Sequence, residues 1–416
     1  MRKLLIVLFL ATPLFADDKI DTAINEILAK TGAPSASVAV VRDGKLAYAN
    51  AYGLAVLDPK TPATPAMRYS IGSISKQFTA SAILMLAEEG KLSLDDRVVR
   101  WLPELTRSKD VTIRELLSMT SGYQDFWPQD YVMPGMLEPA TAQQIADTWA
   151  KKPLDFEPGT KWQYSNTNYV IAGMIAERVA GMPLIEFLRR RVFTPLQMTS
   201  VFDTDASALP AGEPMRYLRY ALGPLRPAPK EGKGWMFAAG ELAMTAQDLA
   251  KWDVSVMDES LLRPASYREL ERETLLASGT GAHYGLGVSV NTVDGRRVIS
   301  HNGEVSGFTA NNTIYPDQRA AIVVLTNLDA TSASEQISTK IAQSLFASID
   351  PATESATAQA RKIFEGLQKA QIDRMLFTSN ANAYFSEQAL KDFASSLGPL
   401  GTPQEFVQVS QPYAAA

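Results

Sequence analysis

"YSIGSISKQF", residues 69–78, sets Ser73 and Lys76 three positions apart at the entrance to a helix-forming run. On a helix, residues i and i+3 share a face, with Cβ atoms about 5–6 Å apart. A lysine amine in that register reaches the serine oxygen without distorting the backbone. A serine hydroxyl is a poor nucleophile until a base takes its proton. The pair therefore has two readings: an activated serine, or a capping hydroxyl beside a solvated charge. At the first helical turn the Ser73 N–H also has no helical partner, which leaves it able to face an oxyanion.

Downstream of this stretch the sequence is mostly helical from about residue 70 to 275. "KQFTASAILMLAEEG" closes on Gly90, which suits a left-handed C-cap. "VTIRELLSM", "TAQQIADTWAK", "NYVIAGMIAERVAG" and "TAQDLAKWDVSVM" follow at helical spacing. Proline-rich connections such as "YALGPLRPAPKEGKG" (220–234) separate them. Upstream, "DKIDTAINEILAK" (18–30) is a helix, and "SASVAVV" and "LAYANAYG" are β-rich runs joined by the hairpin signal "RDGK". Strand-like runs return as "YGLGVSV", "RRVISHNG", "TANNTIY" and "AAIVVLTN", before a last helix near 333–347. Early and late strands pair most simply in one antiparallel sheet, with the helical middle as an insertion beside it. The expected fold is α+β, with a cleft between sheet and insertion as the natural place for a site.

The chain has 416 residues, 46% of them hydrophobic and 20% charged, with a net charge of −5. That is ample for a sizeable core, and it lacks the basic footprint of a nucleic-acid binder. With no cysteine there is no disulfide, thiol nucleophile or lipid-modified cysteine. At the N-terminus, Arg2 and Lys3 precede an apolar run from Leu4 to Phe15, and Ala16 precedes Asp17. This is the layout of a signal peptide cut near Ala16. The run is shorter than the ~20 residues of a membrane span. The expectation is an exported protein, periplasmic or secreted, with no stable membrane anchor after cleavage.

The domain plan that follows is a signal peptide at 1–16 and a catalytic domain at 17–349. Within that domain the sheet comes from 17–66 and 280–349 and the helical part from 67–279. The rest, 350–416, is a helix-rich extension, either an appendage or an accessory domain cut short. Its expected elements are "ARKIFEGLQKAQ", "SEQALKDFASSLG" and a terminal strand "EFVQVSQ".

Common hydrolase and cofactor signals are missing. There is no G-x-S-x-G elbow, no HExxH, no Walker loop and no G-x-G-x-x-G, and the only histidines are His283 and His301. No metal or cofactor is expected. Ser73-Ile74-Ser75-Lys76 is the only S-x-x-K. Two further motifs accompany it: "WQYSNTNY" gives Tyr164-Ser165-Asn166 as Y-x-N before a helix, and "VISHNGEVSGF" gives His301-Asn302-Gly303 as H-x-G ending a strand.

S-x-x-K, Y-x-N and H-x-G in this order resemble the serine penicillin-recognising enzymes, especially the class C β-lactamases and their esterase and D-peptidase relatives. "VTIRELLSMTSG", "FEPGTKWQYSNTNYVIAGMIAERVAG", "TPLQMTSV" and "AAGELAMTAQDLAKW" agree, and the likeness covers about residues 20 to 348. It implies that Ser73 forms an acyl-enzyme, that Lys76 contacts it and that Tyr164 is the third catalytic member. A phenolate base at neutral pH would need a downward shift of about three units from 10, worth ~4 kcal/mol. Either a nearby lysine cation supplies that, or Lys76 is itself the neutral base. In both cases Tyr164 can carry the proton to the leaving group.

Asn166 carries both a donor and an acceptor, enough to bind Lys76 and a substrate amide together. His301 stands where β-lactamases carry the lysine of K-T-G. A mostly neutral imidazole can bind a substrate by hydrogen bond but is a weak partner for a carboxylate. Gly303 leaves the strand open to an extended substrate, and the Glu304 N–H would complete the oxyanion hole with that of Ser73. Met119 replaces a histidine usual in relatives, His283 matches no catalytic motif, and the aromatic run at 123–131 either lines the cleft as an acyl pocket or packs on itself.

The expected function is a serine hydrolase acting through an acyl-enzyme on small esters, amides or peptides. Its rivals are a true β-lactamase or DD-carboxypeptidase, and an idle binder of cell-wall fragments.

Overall fold

The computed structural model describes residues 18–127, 132–346 and 351–403. The expected signal peptide, residues 128–131 of the aromatic run and the expected strand at 405–411 lie outside them. The chain divides into two compact units. Residues up to Thr292 with Arg296–Ile341 form the first, and Val293–Gly295 with the residues from Ala342 onward form the second.

The first unit is built on a seven-stranded sheet. Its strands are β1 (Ser35–Arg42), β2 (Lys45–Leu57), β3 (Lys60–Pro62), β4 (Ser289–Val293), β5 (Arg296–Val305), β6 (Phe308–Tyr315) and β7 (Ala320–Thr326), in the order β3-β2-β1-β7-β6-β5-β4. Early and late strands meet at β1–β7, where Val38 stands opposite Val324 in an antiparallel pair. The antiparallel sheet and its helical insertion are as the sequence predicts. Asp43 and Gly44 both have positive φ, 54° and 74°. They form the two-residue turn that matches strand twist in a hairpin.

Helix α1 (Asp18–Thr31) precedes the sheet and α5 (Ala333–Phe346) follows it. The helical part contributes α2 (Lys76–Glu88), α3 (Asn166–Ala180) and α4 (Ala246–Met257). α4 lies across β1 and β7, and α2 packs on α3. Every residue of α2 from Lys76 to Leu86 is buried, as expected of a helix apolar on nearly all sides. Phe78, Ile83 and Leu86 are fully buried there, each contributing about 1.5–3 kcal/mol by leaving water. This anchorage makes α2 a rigid mount for what stands at its N-terminus. α3 ends on Gly181 in the left-handed conformation, φ 69°.

Two sequence expectations change. "YGLGVSV" is not one strand: Gly287 has φ +78° and breaks the extended run, so β4 starts only at Ser289. Small sheets also appear inside the helical part. Tyr69–Ser70 and Phe202–Asp203 flank Leu242–Met244, and Ile71 N–H donates to Leu242 O over 2.9 Å. This pairing pins the backbone just before Ser73.

In the second unit, α6 (Pro351–Gln368) packs on α7 (Glu387–Leu397). α6 begins nine residues before the expected "ARKIFEGLQKAQ", because Pro351 suits the first helical position, where no N–H is needed. Among the described residues, Leu367 of α6 and Leu390 of α7 are buried apolar side chains, and the half-buried rings of Phe377, Phe385 and Phe393 pack in series with centroids 5.0 and 5.7 Å apart.

Candidate active site

Ser73 occupies a 3₁₀ turn, Gly72–Ser75, that runs directly into α2 at Lys76. In a 3₁₀ turn, side chains at i and i+3 eclipse, so Lys76 stacks over Ser73 more closely than on an α-helix. Its Nζ lies 3.0 Å from Ser73 Oγ, 2.8 Å from Asn166 Oδ1 and 2.7 Å from Ala239 O. Asn166 Oδ1 and Ala239 O can only accept; the serine hydroxyl can accept or donate. The geometry suits both forms: an ammonium donates to all three oxygens, and a neutral amine keeps its two protons on the two carbonyl oxygens with its lone pair toward the Ser73 hydroxyl.

Lys76 is fully buried, and loss of water pushes its ammonium down to about 7, opposed by the negative charge of Asp125. Tyr164 moves the other way. Burial pushes its phenol well above the usual range; the neighbouring Ser73 hydroxyl opposes this and Asp125 adds to it. Its hydroxyl is buried beside Ser73 without a partner at hydrogen-bond geometry, and Lys76 Nζ sits 5.0 Å from the centre of its ring. Of the two bases left open by the sequence, the surroundings favour Lys76 and keep Tyr164 protonated.

Asn166 opens α3, and its orientation is set by a residue that no motif reveals. Asp125 accepts from Asn166 N–H at 2.8 Å and from Asn166 Nδ2 at 3.2 Å. This turns Oδ1 toward Lys76 and leaves the second Nδ2 proton for a ligand. Burial raises the Asp125 carboxyl, while hydrogen bonds from Trp127 and Asn166 and the charge of Lys76 oppose the shift. Met119, with φ 63°, turns its sulfur toward Ser165 N–H at 3.4 Å and Asn168 Nδ2 at 3.7 Å. It thereby helps hold the Tyr164–Asn166 segment.

His301 differs from expectation. Both ring nitrogens are engaged by the protein: Nε2 lies 2.9 Å from Tyr284 Oη and Nδ1 2.5 Å from Asn302 O. The carbonyl can only accept, so Nδ1 carries the proton and Nε2 accepts from the tyrosine. Burial, with help from Lys76, pushes the imidazole down to about 4, so it is neutral at pH 7. It borders the site, its ring 6.1 Å from that of Tyr164, but has no free nitrogen to offer a substrate.

Gly303 also has a different reason to be glycine. A Cβ there would lie 1.9 Å from Ile71 O, and one at Gly72 (φ +50°) 2.7 Å from Glu304 N. The two glycines face each other across a backbone contact. Their lack of side chains lets β5 close on the Ser73 turn: Glu304 N lies 2.7 Å from where a Cβ of Gly72 would stand, and Ser73 N 3.4 Å from where one of Gly303 would.

These groups open onto a cleft of about 1050 Å³ lined by Ser73, Tyr164, Asn166, His301 and Gly303. Of the aromatic run, Phe126 and Trp127 line it, whereas Tyr123 is buried with its hydroxyl on Thr106 O. His283 is exposed and pairs with Glu273 at 3.2 Å, as a loop residue does.

The Beta-lactamase family model matches residues 20–345, and the chain belongs to this family of serine hydrolases. It is 29% identical over 327 residues to Penicillin-binding protein 4* of Bacillus subtilis, covering 74% of this chain and 71% of that one. It is 30% identical over 326 residues to a D-aminopeptidase of Cereibacter sphaeroides, covering 76% of this chain and 61% of the relative. The chain thus spans only about three fifths of that peptidase's length. Among solved structures, the D-amino acid amidase of Ochrobactrum anthropi complexed with D-phenylalanine superposes with a TM-score of 0.66 at 26% identity. That match covers 75% of this chain and 92% of the amidase.

Proposed function

We propose that this chain hydrolyses amides and small peptides through an acyl-enzyme on Ser73. The observation that carries the reading is the buried Lys76 amine, 3.0 Å from Ser73 Oγ and poised near neutrality. As Ser73 Oγ attacks the carbonyl carbon, its proton passes to the neutral Lys76 Nζ. The oxyanion is received by the Ser73 and Glu304 N–H groups. Tyr164 hands its phenolic proton to the leaving nitrogen and regains one from the Lys76 ammonium. Water then attacks the ester carbon, its proton leaves through the same groups, and Ser73 is restored. Asn166 holds Lys76 and offers its remaining amide proton to the acyl part.

Relatives that are a D-aminopeptidase and a D-amino acid amidase support amides over β-lactams as substrates. The neutral His301, where a lysine would otherwise meet a carboxylate, supports the same choice. We also propose export to the periplasm or beyond, on the charged head and apolar run of residues 2–15. No helix among the described residues is long and apolar enough to cross a membrane. For the domains we retain a catalytic part through residue 349 and a helical extension after it.

The test is a panel of D- and L-amino acid amides, p-nitrophenyl butyrate, nitrocefin and a D-Ala-D-Ala peptide, run on wild type and Ser73→Ala. Turnover of amides that disappears in Ser73→Ala is expected. Nitrocefin as the fastest substrate would replace this reading with a β-lactamase. No turnover of any compound would leave the idle binder.

A further inference from the structure

Of the three oxygens around Lys76 Nζ, one is a backbone carbonyl, Ala239 O at 2.7 Å. That carbonyl belongs to a turn that needs support. Ala238 has φ 59°, a left-handed conformation that residues with a side chain rarely adopt and that their surroundings must hold. Three side chains hold the segment around it. Thr79 Oγ1, one turn along α2 from Lys76, donates to Ala238 O at 2.7 Å. Ser75 Oγ accepts from Leu242 N–H at 3.2 Å. Glu241 folds back along its own chain, so that Oε2 accepts from Ala238 N–H at 3.0 Å. On α3, Gly173 makes room for the turn, since a Cβ there would lie 2.4 Å from Ala238 Cβ. We propose that Glu241 is a positioning residue for the reaction: by fixing the Ala238–Gly240 turn, it aims the Ala239 carbonyl at Lys76 and so sets the direction of the amine. This rests on the reading of Lys76 as the base.

Glu241 is buried and stands outside the cleft lining, so its effect must travel through the turn. Its own backbone is anchored: Glu241 O accepts from Thr204 N–H at 2.7 Å and from the Thr204 hydroxyl at 2.9 Å. Burial pushes its carboxyl well above the ordinary range; Asp203, Asp205 and Glu177 add to this, and the Ala238 N–H opposes it. Lys76 has a different set of neighbours. They are the charge of Asp125, the rings of Tyr164 and Tyr169 at 5.0 and 5.5 Å from Nζ, and the neutral imidazole of His301. The Ala239 carbonyl is the link between the two. An ammonium gains more from a carbonyl oxygen than a neutral amine does. Turning that carbonyl away therefore makes Lys76 easier to deprotonate, but leaves its amine free to swing off the Ser73 hydroxyl.

The test compares Glu241→Leu, which keeps bulk and removes the acceptor, with Glu241→Gln, whose amide oxygen still accepts from Ala238 N–H. Lys76 is titrated in the full-length protein by NMR of carbon-labelled lysine, its signal identified by its loss in Lys76→Arg. The kcat/KM for D-phenylalanine amide is followed over the same pH range. In Glu241→Leu the Lys76 titration and the acid limb of kcat/KM should both move down by about one pH unit, and the plateau should fall about 10- to 100-fold. Glu241→Gln should titrate and turn over close to wild type. Should Glu241→Leu not fold, Glu241→Asp, a methylene too short to reach Ala238 N–H, carries the same expectation. A Lys76 titration unmoved in a variant that is only less stable would overturn the proposal, as would Glu241→Gln displaced as far as Glu241→Leu. A displaced titration in a protein whose wild type turns over no amide would overturn the catalytic reading alone.

Discussion

Asp125 grips Asn166 by both of its amides, the backbone N–H at 2.8 Å and the side-chain Nδ2 at 3.2 Å. The same carboxylate opposes the desolvation of Lys76. It is therefore a positioning residue with two levers, one on the direction of Asn166 Oδ1 and one on the charge of the amine. In Asp125→Asn the loss of negative charge should make Lys76 easier to deprotonate. The acid limb of kcat/KM should then move to lower pH. The plateau should fall about 10- to 100-fold as Asn166 loses its orientation. A merely structural role would lower stability without moving the pH profile.

The pH dependence of the wild type follows from Lys76. Its folded value of about 7 lies below the ordinary lysine value, because burial penalises the ammonium. As the proposed base, Lys76 is protonated and idle below pH 7 and free above it. Activity should rise with pH through about 7 to a plateau. Since burial raises the Tyr164 phenol, no fall from loss of its proton is expected before the ordinary tyrosine range. Initial rates between pH 5 and 9.5 check this; activity that declines as pH rises through 7 would contradict it.

Tyr164→Phe separates catalysis from stability. The phenol is buried without a hydrogen-bond partner, and removing such a group costs the fold nothing or relieves it. Thermal unfolding should match or exceed wild type, while kcat drops about 10²- to 10⁴-fold for want of a proton donor. A large loss of melting temperature would show that Tyr164 holds a structural bond instead.

What the sequence exposes and what it hides divides along one line. Ser73 and Lys76 are legible because both lie within one turn, and Tyr164 and Asn166 because they stand two residues apart where a helix starts. The sheet was legible from hairpin chemistry at Asp43–Gly44 and from apolar runs such as "AAIVVLTN". Asp125 and Tyr284 were not legible, since their meaning lies in partners 41 and 17 residues away. For the same reason the sequence suggested a free imidazole at 301, whereas Tyr284 and Asn302 take both nitrogens. Glycine at 303 was readable as necessary, but not that Ile71 O fills the space beside it. Two-residue strands such as Tyr69–Ser70 are too short to show a period of two.

Gly303→Ala tests the backbone contact. A Cβ 1.9 Å from Ile71 O must push β5 off the Ser73 turn and separate the two amides. Loss of about 1–3 kcal/mol of stability is expected from overpacking. A fall of about 10²- to 10³-fold in kcat should accompany it if an oxyanion donor is displaced. Chemical denaturation together with saturating kinetics measures both; unchanged kcat would remove Glu304 from the reaction.

The central claim is that the Ser73 hydroxyl, deprotonated by a buried neutral lysine, becomes covalently acylated. The most direct measurement is intact and peptide mass spectrometry after brief exposure to a slowly hydrolysed D-phenylalanyl ester, on wild type, Lys76→Gln and Ser73→Ala. One acyl group on the peptide containing Ser73 in wild type is predicted, with far slower labelling in Lys76→Gln and none in Ser73→Ala. Acylation at another residue, or labelling as fast in Lys76→Gln as in wild type, would contradict the account.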